Sequence, residues 1–150
     1  MNAEAMWRAS GLTGAWDAWS FGDDPDGLAR LVLEGRKTAT ASAYPLYEAE
    51  GEPLPMPGET SVVLDARGEA VCVIRTTRVH IVPFRAVTAD HAAREGEGDL
   101  SLGHWRRAHR DFFTRELATI RRTFDEDMPV VCEEFERLYP LEPPTPTETH

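Results

Sequence analysis

Long apolar runs, cysteines and basic charge are all scarce in this sequence of 150 residues. No stretch approaches the roughly 18 continuous apolar residues that a membrane helix needs, so no membrane partner is expected. The N-terminus MNAEAMWRAS has no basic stretch followed by an apolar one, so no secretory signal is expected either. Cys72 and Cys132 stand in apolar, strand-like runs, which predicts two buried thiols in a cytoplasmic protein rather than a disulfide or a metal site.

Lysine is nearly absent, because only one of the 16 Lys and Arg residues, Lys37, is a lysine. An arginine cannot lose its proton in a protein, whereas a lysine can. A chain that otherwise uses arginine has little need of Lys37 as a generic surface charge. The pattern therefore favours a site that requires a compact ammonium or a neutral amine at this position.

The net charge of −10 argues against sequence-independent binding of nucleic acid, because the overall field repels phosphates. A local basic groove is one alternative, and basic residues scattered among carboxylates are the other. The residues concerned are Arg36, Lys37, Arg75, Arg78, Arg94, Arg106, Arg107 and Arg110. The sequence leaves both alternatives open, and no DNA specificity is expected.

The first 35 residues are predicted to contain two helices. The opening stretch through Trp19 is predicted to form a helical extension that packs over the domain. Asp24 and Pro25 begin a second helix as its cap and first residue, and Gly35 ends it in a left-handed conformation. The segment RKTAT, residues 36–40, which we call the lysine turn, is therefore predicted to be an exposed turn.

From Gly58 onward the pattern becomes that of a mixed α+β domain. TSVVLD and AVCVIRTTRVHIV are predicted strands joined by a hairpin turn, and PVVCEEFERLY is a predicted returning strand. VTADHAAREGEGD begins as a short helix capped by Thr88, and LSLGHWRRAHRDFFTRELATIRRTF is the strongest helical pattern. A small, largely antiparallel barrel or curved sheet is the natural assembly.

Thr40 and Lys37 are the first candidates for chemistry. A threonine hydroxyl is a nucleophile only beside a base, and Lys37 is close in sequence. Thr38 is more simply explained by hydrogen bonds to the backbone after a helix. The segment REGEGD supplies two acids, Glu95 and Glu97. Glu95 ends the short helix and is the candidate general acid or base. If Glu95 lies beside Lys37, the lysine stays protonated and stabilises developing negative charge.

Five further residues are candidates for substrate binding: Arg36, Thr38, Tyr47, Glu97 and His109. Tyr47 could stack on a base or pack against the proline-rich loop that follows it. His109 is a candidate for the rim of the site, whereas Trp105 falls on the apolar stripe of its helix and is predicted to be core. His104 and His109 do not share a helix face cleanly, and no matching set of His or Asp ligands accompanies the acidic loop, so no metal site is expected.

Four segments, taken in order and with their spacing, resemble the ASCH domain family: GRKTAT, YEAEGEPLPMPGE, VTADHAAREGEGDLSLGHWRRAH and PVVCEEFERLY. The resemblance covers about residues 21–139 and is closest to a longer bacterial branch that carries EGEGD and WRRAH. It implies an α+β fold with a PUA-like small β-barrel, flanking helices and a cleft at the barrel mouth. The chain then divides into a helical extension (1–20), the ASCH domain (21–139) and a disordered tail (140–150).

The resemblance also implies activities and site residues. One small type of relative hydrolyses the amide of cytidine acetylated on its exocyclic amine, and its catalytic residues match Lys37, Thr40 and, through HAARE, Glu95. The longer branch is associated with ribonuclease activity. The wider family carries an arginine two residues after the Thr40 position, where Ser42 stands here, and often a glutamate in place of Thr40.

The sequence thus predicts an RNA- or nucleoside-directed hydrolase that needs no cofactor, with a non-catalytic RNA-binding module as the alternative. In amide hydrolysis Thr40 attacks the carbonyl, Lys37 activates it or holds the oxyanion, and Glu95 carries the proton to the leaving amine. In RNA cleavage the 2′-hydroxyl is the nucleophile, Lys37 or Glu95 is the base, and Arg36 steadies the phosphate. The sequence indicates no oligomeric state.

Overall fold

The computed structural model describes residues 1–142, so most of the predicted disordered tail, 140–150, lies outside the described residues. Within residues 1–142 the chain forms five α-helices and five strands. No helix in this part of the chain is long and apolar enough to cross a membrane. In chain order the elements are α1 (Ala3–Ser10), β1 (Asp17–Ser20), α2 (Pro25–Leu33), β2 (Ala39–Ala43), α3 (Tyr44–Glu50), β3 (Thr60–Leu64), β4 (Ala70–Pro83), a 3-10 turn (Phe84–Ala86), α4 (Ala89–Glu95), α5 (Leu102–Ala118) and β5 (Pro129–Tyr139).

The strands form one curled sheet in the order β1-β3-β4-β5-β2. Three of the four pairings are antiparallel, and only β1 with β3 is parallel. The predicted α+β fold, a PUA-like small β-barrel with flanking helices, is confirmed, and its sheet is a curled half-barrel. Because β1 and β2 are the two edges, the curl brings them to opposite walls of one opening.

The α5 helix closes one side of the sheet. Trp105, Phe113 and Leu117 are each at most 2% exposed and pack with Phe84 and Val130. Trp105 is core, as its place on the apolar stripe predicts. Cys72 and Cys132 are buried free thiols, also as predicted.

The N-terminal prediction is only partly correct, because the helix ends at Ser10 and Trp19 lies in strand β1. Gly11 ends α1 in the left-handed conformation, with φ of 73°. The α1 helix packs over the sheet through Trp7, as predicted. Residues 17–20 form a strand because they pair with the edge of β3. This pairing joins distant segments of the chain, and local periodicity does not reveal it.

The α2 helix sets the position of the lysine turn. The Asp24 side chain accepts a hydrogen bond from the backbone of Gly27, and Pro25 is the first helical residue, as predicted. After the helix, the backbone N–H groups of Gly35 and Arg36 bond back to the carbonyls of Val32 and Leu31. This pairing satisfies the last carbonyls of the helix and turns the chain sharply.

The prediction that the whole lysine turn is exposed is wrong for Lys37, which is 1% exposed. The strand β2 and the helix α3 were not predicted: residues 39 and 40 were assigned to the exposed turn, and no helix or strand was predicted for residues 41–50. β2 reads ATASA, and alanine and serine have little intrinsic preference for strands. The strand forms because its small residues pair with β5 and pack closely, with Ala39 and Ala43 fully buried.

The end of α4 touches the lysine turn at Gly96. Gly96 has φ of +72°, and a Cβ there would clash with the carbonyl oxygen of Arg36 and lie 3.1 Å from Lys37 Cα. The backbone N–H of Thr38 also donates to the carbonyl of Arg94, at 2.7 Å. Glycine at position 96 therefore permits the two segments that carry Lys37 and Glu95 to meet.

We expect Gly96→Ala to lower the free energy of unfolding by about 2–4 kcal/mol, because it adds a backbone clash to the strain of a positive φ. Gly68→Ala is the matched control, since Gly68 has φ of +79° in a hairpin turn with no atom within 4 Å of its Cβ position. Gly68→Ala should cost only about 1 kcal/mol. Denaturant unfolding measures both, and equal losses would contradict a tight contact at position 96.

Candidate functional site

A cavity of about 610 Å³ lies between the two edge strands. Residues of β1 and β2 form opposite walls, and α3, α5 and the loops after α4 and before β3 complete it. Nine carboxylic side chains line it, together with one lysine and one histidine, and no arginine does. The cavity is thus strongly acidic, with Lys37 as its one permanent cation.

Lys37 lies on the cavity wall with its amine engaged on three sides. Nζ donates to Glu97 Oε2 at 2.8 Å, to Glu95 Oε1 at 3.2 Å and to the main-chain oxygen of Glu95 at 3.4 Å. A protonated amine has three N–H donors, so this geometry uses all of them. The Phe21 ring centroid lies 5.4 Å from Nζ and adds a cation–π contact. Lys37 is therefore placed as an ammonium, in agreement with the expectation for a lysine beside Glu95.

Glu95 is fully buried and surrounded by donors. Besides Lys37, its carboxylate accepts from Trp105 Nε1 at 2.7 Å and from His91 Nε2 at 2.8 Å, and His109 Nε2 lies 3.3 Å away. Burial pushes the pKa of Glu95 upward, but the Lys37 charge and the histidine hydrogen bonds outweigh burial and hold it well below the ordinary value. Glu95 is a fixed anion at neutral pH.

His109 completes this cluster as a second basic side chain. Its Nδ1 lies 2.9 Å from the main-chain oxygen of Trp105, and its Nε2 faces the Glu95 carboxylate. Both partners are acceptors only, so both ring nitrogens carry hydrogen. Burial lowers the pKa of His109, but the hydrogen bond and charge of Glu95 raise it above the ordinary value. The ring stacks on Trp105 with centroids 4.2 Å apart.

Within residues 1–142, one set of three side chains has ligand atoms close enough together, within 4.8 Å of one another, to hold a metal ion. The set consists of Glu95, Glu97 and His109. The Lys37 ammonium sits among the same carboxylate oxygens, at 2.8 and 3.2 Å. A metal would have to displace this cation and take the hydrogen from His109 Nε2. The donor set therefore suits an ammonium better than a metal, and the absence of a metal requirement stays a prediction.

Two more predicted site residues, Thr40 and Tyr47, line the cavity. Thr40 lines it, but within residues 1–142 its hydroxyl forms no hydrogen bond with Lys37 or Glu95. Tyr47, on α3, also lines it, and its hydroxyl lies 2.8 Å from Ser42 Oγ. Burial raises the pKa of Tyr47, so the phenol stays protonated. Ser42 thus holds the Tyr47 side chain at the cavity wall.

Arg36 and Thr38 do not line the cavity. The Arg36 side chain is 73% exposed and lies 3.8 Å from Glu34. The Thr38 hydroxyl donates to the carbonyl of Arg94 at 3.4 Å, which is the backbone role that the sequence offered for it. A role of either residue in substrate binding stays a prediction.

The arginines that could have formed a basic groove are mostly paired with carboxylates. The pairs are Arg36–Glu34, Arg75–Glu136, Arg78–Glu134, Arg94–Asp90 and Arg110–Glu126. Of the two alternatives that the sequence left open, the structure favours scattered, paired arginines over a basic groove at the cavity.

Two residues of the site were missed in the sequence. His91 precedes Glu95 by four residues, a spacing that places both on one helix face. Glu133 lies on β5 as the register partner of Thr40 and lines the cavity. Burial, followed by the charges of Glu59 and Asp17, raises the pKa of Glu133 to about 7. The available signal was its alternation with Val131 and Phe135, which puts an acid on an apolar strand face.

Comparison with known proteins identifies the family. The ASCH domain model matches residues 17–139. The crystal structure of an ASCH domain from Lactobacillus crispatus JV V101 is 33% identical and has a TM-score of 0.85, over 90% of this chain and 92% of that one. Protein EF3133 from Enterococcus faecalis V583 is 36% identical with a TM-score of 0.82, over 91% and 87%. The hypothetical protein PH0355, 13% identical over 81% and 97% with a TM-score of 0.52, shares the fold alone. No curated protein matched the chain.

This chain belongs to the ASCH domain family. Its fold is PUA-like, and such folds are associated with RNA binding.

The raised pKa of Glu133 predicts a pH-dependent loss of stability. The folded protein holds this proton up to about pH 7, whereas the unfolded chain releases it near the usual value of about 4.3. Relative to Glu133→Gln, the wild type should therefore lose about 3 kcal/mol of unfolding free energy between about pH 4 and pH 7, and less than about 1 kcal/mol above that. Denaturant unfolding at several pH values measures the difference.

Glu134→Gln is the control for this experiment, because Glu134 is adjacent in sequence but pairs with Arg78 outside the cavity. It should not gain stability over the wild type as the pH rises. A constant difference between Glu133→Gln and the wild type across this range would show that Glu133 is an ordinary surface carboxylate.

Proposed function

We propose that this protein hydrolyses the amide of a cytidine-type nucleoside acylated on its exocyclic amine, inside the acidic cavity. The observation that supports this best is the buried Lys37 ammonium on the wall of a cavity that Thr40 also lines. A nucleophile and a fixed positive charge in one enclosed site are what acyl transfer requires.

The charge of the cavity favours a free nucleoside over polymeric RNA. Nine carboxylic side chains and no arginine line it, so phosphates of a polynucleotide would be repelled there. An uncharged nucleoside avoids this repulsion, and its ribose hydroxyls can donate to the carboxylates. Metal-independent RNA cleavage, the other predicted reaction, is less well supported because no arginine is placed to steady a phosphate.

In the proposed reaction Thr40 Oγ attacks the amide carbonyl, and the carbonyl oxygen acquires negative charge. Lys37 can stabilise this oxyanion by redirecting its weakest hydrogen bond, the one of 3.4 Å to the Glu95 main-chain oxygen. The two shorter bonds, to the Glu95 and Glu97 carboxylates, keep the amine in place meanwhile.

Glu95 has a different role in this proposal from the proton transfer that the family resemblance implies. Its low pKa and its saturated carboxylate make it a weak base at neutral pH. It is better suited to hold Lys37 and His109 in their charged forms and fixed positions. This role agrees with the expectation that a lysine beside Glu95 acts as an oxyanion stabiliser.

The alternative is a non-catalytic RNA-binding module, which the association of PUA-like folds with RNA binding favours. The two hypotheses differ in what Lys37→Arg should do. An enzyme should lose about 100-fold or more in kcat/KM, because a planar guanidinium does not fit the position of a compact ammonium. A binding module should keep most of its RNA affinity, since the charge is retained.

The test incubates the protein with N4-acetylcytidine and, separately, with short RNA, each with and without chelator. We expect cytidine and acetate to form in the presence of chelator, and Thr40→Ala to lose about 100-fold or more of the wild-type kcat/KM. Thr77→Ala, which removes an exposed hydroxyl bonded to the Glu134 carbonyl, is the control and should keep full activity.

Product from neither substrate, together with retained RNA affinity in Lys37→Arg, would favour the binding module. Product that disappears with chelator would mean that the Glu95, Glu97 and His109 set holds a metal after all. Unfolding curves for each variant separate loss of chemistry from loss of fold.

A further inference from the structure

Strand register places a second carboxylate next to the proposed nucleophile. Thr40 on β2 pairs directly with Glu133 on β5, and both line the cavity. Paired residues of antiparallel strands point to the same face, with Cβ atoms roughly 4.5–5.5 Å apart. A glutamate at that separation reaches a threonine hydroxyl directly or through one water molecule.

Glu133 is also available to take a proton, unlike Glu95. Among residues 1–142, Glu95 faces four side-chain donors, whereas the Glu133 carboxylate accepts no hydrogen bond and forms no ion pair. A carboxylate without committed donors keeps its lone pairs free for an incoming proton.

The groups around Glu133 determine its pKa. Three polar groups face Glu133: Asp17 from β1, Glu59 from the loop before β3, and Tyr47 from α3. Its register partners are Thr40 on β2 and the apolar Val79 on β4. Lys37 and Glu95 neutralise each other at the α4 side of the same cavity, and Glu116 of α5 adds a further acid. Burial and the nearby acids raise the pKa of Glu133 to about 7, so both protonation states are populated near neutral pH.

We propose that Glu133 is a catalytic residue, the base that takes the Thr40 proton and the acid that returns it. This inference rests on the proposed amide hydrolysis. The Thr40 oxygen–carbonyl carbon bond forms while the hydroxyl proton moves to Glu133. The carbon–nitrogen bond then breaks, and the same proton passes to the leaving exocyclic nitrogen.

The second half of the reaction uses the same group. Water attacks the acyl-threonine ester, and Glu133 accepts the proton of that water. The ester bond breaks, the acid leaves, and Glu133 returns the proton to Thr40 Oγ. One carboxylate therefore serves both halves, while Lys37 faces the oxyanion in each.

The test is the pH dependence of kcat/KM for N4-acetylcytidine from about pH 5.5 to about pH 8.5. The wild type should rise with pH through a midpoint near 7, because the first proton transfer needs ionised Glu133. Glu133→Gln should lose about 100- to 10,000-fold in kcat with little change in KM, and should lose that midpoint. Glu134→Gln, the neighbouring acid outside the cavity, should match the wild type in rate and profile.

The outcomes separate this inference from the function on which it rests. Absence of wild-type turnover would overturn both. Wild-type turnover that Glu133→Gln retains, or a wild-type profile without a midpoint near neutral pH, would overturn the role of Glu133 alone and leave amide hydrolysis standing. The Tm of Glu133→Gln, expected to equal or exceed that of the wild type at pH 8, shows that lost activity is not lost folding.

Discussion

The buried ammonium of Lys37 is the constraint on which the rest of this structure depends. Removing a charge from water costs several kcal/mol unless partners compensate. Here the compensation comes from Glu95 and Glu97, nearly sixty residues away in sequence. The fold must therefore bring the end of α2 against the end of α4, which explains the glycine at position 96. Loss of Lys37 would remove the cation that both carboxylates share, and breaking a buried ion pair costs about 3–5 kcal/mol.

Lys37 and the groups around it also make the electrostatic environment of Glu95 different from that of Glu133. Glu95 has its pKa held low by Lys37 and the histidines, whereas Glu133 has its pKa raised by burial and by other acids. Two carboxylates in one cavity with opposite shifts have different chemical capacities. The first is a permanent anion suited to orienting cations, and the second can exchange a proton near neutral pH. The same type of side chain is thus suited to holding cations in one case and to exchanging a proton in the other.

The sequence predicts the local features well. Caps and periodicity locate α2, α4, α5 and the long strands, and the near absence of lysine singles out Lys37. Features that depend on contacts between distant segments are not visible there. The strand β2 is composed of weak strand formers and exists because β5 pairs with it. The burial of Lys37, like the position of Glu133 beside Thr40, also results from tertiary pairing rather than from local pattern.

The family resemblance predicts Glu95 as a site residue, and Glu95 lies beside Lys37, but a matched position does not fix a chemical role. Role depends on the donors that surround a group, and here four of them surround Glu95. The same reasoning applies to the substrate. The fold is associated with RNA binding, yet in this chain the arginines are largely paired with surface carboxylates, while the cavity is lined with acids. A polyanion meets repulsion at such an opening, whereas a neutral nucleoside does not. The acidic cavity therefore favours a neutral nucleoside over a polynucleotide as the ligand that reaches Lys37.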